Sequence, residues 1–180
     1  MQNYTRYAIE QTLSLLAIDS PSGYTSRAAE WVRDAFTALG FEAHLTVKGG
    51  VLADLGGTNL DNALLLEAHT DTLGAMVAEI KSDGRLRVTP LGGMCAENGE
   101  AENVRVYTRE GRVYEGTLQL CNASVHVNPN YRDTKRSFDT TEVVLDSDTS
   151  SADGTRALGI RVGDIVCFEP RARVTDTGYI

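Results

Sequence analysis

Several features are scarce or missing in these 180 residues, and each absence argues against a class of protein. The three cysteines, Cys95, Cys121 and Cys167, form no Cys-x-x-Cys pair, which excludes a disulfide framework and a zinc ribbon. No apolar run reaches the roughly 18 residues that cross a membrane. No cluster of lysine and arginine interrupts the net charge of −8, so nucleic acid is not an expected partner. The first residues also lack the features of a secretory signal peptide, which are a basic segment, an apolar segment and a cleavage site with small residues. We therefore expect a cytoplasmic protein without a membrane partner.

The first 55 residues carry the patterns of two helices and a hairpin. Apolar residues recur every three to four positions over 4–18 and again over 25–39, with turn-forming residues at 19–23 between them. Gly40 stands where a helix C-terminal cap is expected. Alternation over 41–47 and 51–55, on either side of Gly49-Gly50, then predicts two paired strands.

Residues 63–68, Ala-Leu-Leu-Leu-Glu-Ala, form a nearly unbroken apolar run. Such a run is typical of a strand buried on both faces, in a sheet covered by helices. Together with the preceding helices, it predicts an α/β domain.

From Gly74 the periodicity changes to two residues, and turn signals recur about every ten residues. This pattern predicts a small β-rich barrel or sandwich over 74–168, inserted between 1–73 and a return strand in 169–180. A short helix is expected over 150–158. The apolar ending Gly178-Tyr179-Ile180 leads us to expect a chain that continues beyond this sequence.

One motif, Ala68-His69-Thr70-Asp71, directly follows the run that predicts a buried strand. Ligands of open α/β sheets collect at the carboxyl ends of strands. His69 and Asp71, two residues apart, would lie on the same face of a strand, and a metal-binding imidazole commonly donates its other N–H to a carboxylate. The spacing predicts a metal ligand with its orienting acid, although one histidine cannot by itself hold a catalytic ion, which needs about three protein ligands.

The remaining polar candidates favour structural roles. Ser22 lies beside a glycine but lacks the strand–turn–helix context and the neighbouring histidine of a serine hydrolase. The others are expected at the surface, at strand ends or near a helix start: His44, His126, Glu97, Glu100, Glu102, Asp146 and Asp148.

Three segments resemble the M42 metallo-aminopeptidases: LLLEAHTDTLGAMVAEIKSDGRLRV, ADGTRALGIRVGDIVCFEP and RARVTDTGYI. The resemblance implies a zinc-peptidase-type catalytic domain, incomplete here, with an inserted β-rich lid and oligomerisation domain. It implies two divalent ions, zinc or cobalt, that activate a water to release N-terminal amino acids from peptides. His69 would be a metal ligand and Asp71 the catalytic-site acid that orients it. The resemblance also implies that the other ligands and the general base follow Ile180, so the fragment alone would be inactive. The complete protein would be a homo-oligomer, because members of the family commonly form dodecamers.

Two departures and three alternatives accompany this resemblance. Thr72 stands where the family commonly has an acid, and LGGMCAENGEAEN replaces a more usual GGW-like segment. The related M20 and M28 peptidases also use His-x-Asp. A non-catalytic assembly or binding module is the alternative of a different class.

Overall fold

The chain divides into two units, with boundaries between Thr72 and Leu73 and between Glu169 and Pro170. The computed structural model describes residues 2–59 and 61–180. The second unit, Leu73–Glu169, begins one residue before the predicted insertion and ends one residue after it. Each unit is described separately below.

The first unit contains both helices and the hairpin that the periodicity predicts. Helix α1 spans Gln2–Leu16 and α2 spans Ser26–Ala38, while strands β1 (Glu42–Leu45) and β2 (Val51–Asp54) pair antiparallel. Gly40 adopts a φ of +87° just beyond α2, and its N–H donates to the Thr37 carbonyl at 2.9 Å. This left-handed conformation ends the helix at little cost because glycine has no Cβ. None of the helices in the described residues is long and apolar enough to cross a membrane.

The strand predicted over 63–68 is not formed, and this expectation was wrong. The segment has no strand assignment, and the side chains of Leu64, Leu65 and Leu66 are 84%, 71% and 75% exposed. A strand buried on both faces needs neighbours on which to form its ladder. Within the described residues, β1 and β2 pair with each other and not with this segment.

The return strand predicted within 169–180 is also not formed, for the same reason. Residues 169–175 lie outside any strand, and the Thr175 N–H donates to the Tyr179 carbonyl to close a turn. Without a paired neighbour, the extended pattern of this segment has no ladder to join.

The second unit is a closed, six-stranded antiparallel barrel, so the predicted β-rich fold takes the form of a barrel. Around the barrel the strands follow the order β3-β4-β7-β6-β5-β8. Their bounds are β3 Gly74–Ile80, β4 Leu86–Leu91, β5 Asn103–Tyr107, β6 Val113–Leu120, β7 Thr141–Leu145 and β8 Ile165–Phe168. Closure leaves no open edge, because every strand pairs on both sides.

Alternate residues of the barrel strands point inward and form one apolar core. Its fully buried members include Ala75, Val77, Leu86, Val88, Val104, Val106, Leu118, Val143, Ile160 and Val166. A 3₁₀ turn, Ala96–Asn98, and a short helix α3, Ala152–Ala157, lie in the connections. Ser151 caps α3 by accepting the Gly154 N–H, as expected for a serine at this position.

Gly116 occupies a tight place in the barrel wall, opposite Leu145 of β7. A Cβ at this position would lie 2.4 Å from the Val144 carbonyl oxygen, a backbone atom that the strand ladder holds in place. We expect Gly116→Ala to lower the free energy of unfolding of the barrel by about 2–3 kcal/mol, measured by urea unfolding. Gly93→Ala is the control, because a Cβ there meets no atom within 4 Å. Equal stability of the two variants would contradict this packing argument.

Candidate metal-binding site

The turn after α1 holds the segment that carries the His-x-Asp motif. The Ser20 hydroxyl donates to the Thr70 carbonyl at 3.0 Å, and the Thr72 N–H donates to the Ser20 carbonyl at 2.9 Å. Pro21 and Thr72 form an isolated parallel bridge. Ser20 is fully buried, so this attachment is shielded from water. Residues 70–72 are therefore fixed by tertiary contacts and not by membership of a sheet.

His69 and Asp71 lie side by side within this segment. The imidazole Nδ1 is 3.0 Å from Asp71 Oδ1 and 3.1 Å from the Asp71 carbonyl oxygen. A main-chain carbonyl oxygen can only accept hydrogen bonds, and so can the oxygen of an ionised carboxylate. Nδ1 therefore carries the proton in this contact. In the neutral ring, the lone pair then lies on Nε2. The His69 side chain is 85% exposed, which leaves Nε2 open to a ligand.

Ser22 is the second partner of the Asp71 carboxylate. Its hydroxyl donates to Oδ2, the oxygen that does not face His69. This hydrogen bond is the largest cause that holds the pKa of Asp71 below its ordinary value; desolvation opposes it, and His69 adds to the lowering. Asp71 therefore remains a carboxylate, the form that orients an imidazole. Sequence reasoning considered Ser22 only as a nucleophile and missed this contact, which joins residues 49 positions apart.

The other sequence candidates are not brought to this motif as metal ligands. Within the described residues no group of three histidine, cysteine or acidic side chains is arranged to hold a metal ion. His44 lies on β1 opposite Leu52, and His126 lies in an exposed turn of the second unit. Glu100, expected to be solvated, instead pairs with Arg136 at 2.8 Å. The candidate site therefore consists of His69, Asp71 and Ser22.

The barrel unit contains a second charged cluster, which the sequence did not reveal. The Glu142 side chain is 1% exposed, and its two oxygens accept separate hydrogen bonds from Lys81 and Arg85. The bond to Glu142 is the largest cause that raises the pKa of both cations. Cys121 lies 3.9 Å from the Lys81 ammonium, and burial raises the pKa of this thiol. Because the thiolate is disfavoured, the cluster has the character of a structural ion pair and not of a nucleophilic site.

Comparison with known proteins identifies the family. The sequence profile of the M42 glutamyl aminopeptidases matches residues 49–180. YhfE of Bacillus subtilis (strain 168), a candidate aminopeptidase, is 36% identical over 175 residues, which cover 97% of this chain and 51% of that protein. The lysyl aminopeptidase of Pyrococcus furiosus is 30% identical over 156 residues, covering 85% of this chain and 44% of its own length. The chain thus spans about half the length of the curated relatives it matches.

Solved structures agree with this relationship at the level of the fold. Aminopeptidase APDkam598 from the archaeon Desulfurococcus kamchatkensis superposes with a TM-score of 0.80 at 26% identity, covering 95% of this chain and 46% of that one. PhTET1-12s, solved as a dodecamer, gives a TM-score of 0.75 at 20% identity, covering 93% of this chain and 47% of its own. The chain belongs to the M42 glutamyl aminopeptidase family, and the family resemblance inferred from the sequence is confirmed.

Proposed function

We propose that this chain is the N-terminal part of a metal-dependent aminopeptidase that releases N-terminal amino acids from peptides. The observation that carries the proposal is the His69–Asp71 pair, in which Nδ1 faces a carboxylate and the ring is otherwise open to solvent. Its occurrence in a chain of the M42 family supports a peptidase over an unrelated use of the same pair.

The donor set fits a transition-metal ion. Imidazole nitrogen is a favoured ligand of zinc and related divalent metals, and the hydrogen bond on the opposite ring nitrogen is the usual companion of a ligating histidine. His69 would hold the ion through Nε2, and Asp71 would fix the ring. When bound, zinc or cobalt ions, two in our proposal, supply a Lewis acid that polarises the peptide carbonyl and lowers the pKa of water.

One histidine falls short of the roughly three protein ligands of a catalytic ion. We place the other ligands and the general base in a C-terminal portion corresponding to the half of the relatives that this chain does not cover. The exposure of Leu64, Leu65 and Leu66 supports this, because three adjacent leucines are costly to leave in water. We expect the C-terminal portion to cover these leucines in the complete protein.

We assign the barrel to assembly and to control of access. The dodecameric relative with the same fold supports a homo-oligomer. This assignment is tested by sedimentation of the complete protein. By complete protein we mean this chain continued by a C-terminal portion like that of its relatives. A monomer at micromolar concentration would reject it.

The proposed activity is tested by release of free amino acids from short peptides by the complete protein. We expect turnover that a chelator removes and that added zinc or cobalt restores, because the Lewis acid is lost with the ion. A series of N-terminal residues would define the preference. Turnover that survives metal removal, with metal content checked by elemental analysis, would reject the metal-dependent function.

The 180-residue chain alone should bind zinc or cobalt weakly and hydrolyse no aminoacyl substrate. It contributes one proposed ligand, and the described residues form no group that could hold an ion fully. Zinc titration followed through the His69 resonances measures the binding, and the peptide assay measures the activity. Aminopeptidase turnover by a preparation free of other peptidases would contradict this prediction.

A further inference from the structure

We propose that Ser22 is a positioning residue that fixes the orientation and tautomer of His69 through the carboxylate of Asp71. Ser22 donates to Oδ2 while Oδ1 faces the imidazole Nδ1, so the three side chains form one chain of hydrogen bonds. The use of the positioned ring as a metal ligand rests on the proposed function, whereas the positioning itself rests on these contacts.

The backbone presents Ser22 at the corner of a tight turn. The Tyr24 N–H donates to the Pro21 carbonyl at 2.7 Å, which closes a four-residue turn with Ser22 and Gly23 in the centre. Gly23 has a φ of +86° at the third position, where a type II turn requires a positive φ. Pro21 is buried and bridges to Thr72. The turn is therefore closed by its own hydrogen bond and attached at Pro21, which gives the serine hydroxyl a defined direction.

A carboxylate with a single partner has considerable rotational freedom. The terminal torsion of aspartate is broad and roughly two-fold, so one hydrogen bond to His69 does not by itself select a plane. Because the Ser22 hydroxyl engages Oδ2, it restricts this rotation and keeps Oδ1 directed at Nδ1. As a result, the imidazole ring keeps one orientation. The lone pair on Nε2, at the opposite side of the ring, then points in one direction.

Ser20 provides a matched comparison in the same turn. Its hydroxyl binds the Thr70 carbonyl at 3.0 Å, so it fastens the backbone of the motif segment and is not bonded to the Asp71 carboxylate. If the turn merely tethers the segment, loss of either hydroxyl should have the same effect on His69. If Ser22 acts through Asp71, only its loss should change the ring.

The experiment compares Ser22→Ala, Ser22→Thr and Ser20→Ala in the metal-free 180-residue chain. Long-range ¹H–¹⁵N correlation spectra of the imidazoles report which ring nitrogen carries the proton, with His44 and His126 as internal references. We expect predominantly Nδ1–H at His69 in the parent chain, in Ser22→Thr and in Ser20→Ala. In Ser22→Ala we expect a larger share of Nε2–H than in the parent chain, while the Asp71 carbonyl, 3.1 Å from Nδ1, retains part of the Nδ1–H form.

Titration with Zn²⁺ is the second readout. We expect Ser22→Ala to lose about 3- to 10-fold in affinity, at or below the low end of the 10- to 100-fold that partners in direct contact with a ligand contribute. An unchanged tautomer in Ser22→Ala, or an equal shift in Ser20→Ala, would overturn the proposal. If His69 fails to respond to Zn²⁺ in the parent chain while its tautomer still follows Ser22, the metal role fails and the positioning role stands.

Discussion

Replacement of both Lys81 and Arg85 by methionine should lower the free energy of unfolding of the barrel by roughly 3–5 kcal/mol. The double variant leaves the Glu142 carboxylate, 1% exposed, without a cation on either oxygen. Leaving a buried carboxylate without a partner costs several kcal/mol of stability. Removing the two cations themselves costs little by comparison, because their side chains are partly exposed. Either single replacement should have a smaller effect, because the remaining cation still pairs with the carboxylate.

The decisive comparison adds Glu142→Leu to the double variant. An apolar side chain has no charge to desolvate, and buried ion pairs replaced by apolar residues are often neutral in stability. Most of the lost stability should therefore return in the triple variant. Arg87→Met is the control, because the Arg87–Glu79 pair is 39% and 53% exposed and should contribute no more than about 1 kcal/mol.

Hydrogen exchange of barrel amides such as those of Leu118 and Val143, measured against urea, reports the stability of this unit. Since Glu142 raises the pKa of Lys81, the contribution of this lysine is complete below its ordinary pKa of about 10.4 and is lost as the pH rises through the raised value. Measurements near pH 7 thus register its full contribution.

A double variant as stable as the parent, or a triple variant no more stable than the double variant, would refute the ion-pair account.

The barrel was predictable because its signals are local. Alternation and recurring turn signals over 74–168 require no knowledge of distant residues, and strands such as β5 and β6 pair in the antiparallel arrangement that this pattern favours. Glu142 was not predictable in this way. From sequence alone, a glutamate is expected at the surface. The two cations that pair with Glu142 also lie 57 and 61 positions away along the chain.

The first unit shows the same limit at the candidate site. The apolar run 63–68 signals burial but does not supply the neighbouring strands that burial requires, and Leu64–Leu66 remain exposed. The His69–Asp71 contact could be anticipated from the two-residue spacing, but on the assumption of a strand that is not formed; contacts with Ser20 hold the segment instead. The Ser22 contact could not be anticipated, because it depends on how the turn after α1 lies against residues 70–72.

His69→Ala in the complete protein should remove nearly all aminopeptidase turnover. In the proposed site, loss of a ligand removes the Lewis-acid contribution, which is several kcal/mol of transition-state stabilisation. At 1.36 kcal/mol for each factor of ten, about 4 kcal/mol corresponds to roughly a thousand-fold loss of kcat. Metal content should fall in parallel.

Asp71→Asn should be milder than His69→Ala, with a loss of roughly 10- to 100-fold in metal affinity or activity, because it weakens the orientation of the ligand without removing it. His44→Ala is the control, since that ring lies on β1 and should change neither quantity. Amino-acid release, zinc content and thermal stability measured together separate loss of the site from loss of the fold. Undiminished turnover by a folded His69→Ala protein would reject the ligand role, whereas equal losses in Asp71→Asn and His69→Ala would show that Asp71 does more than orient the ring.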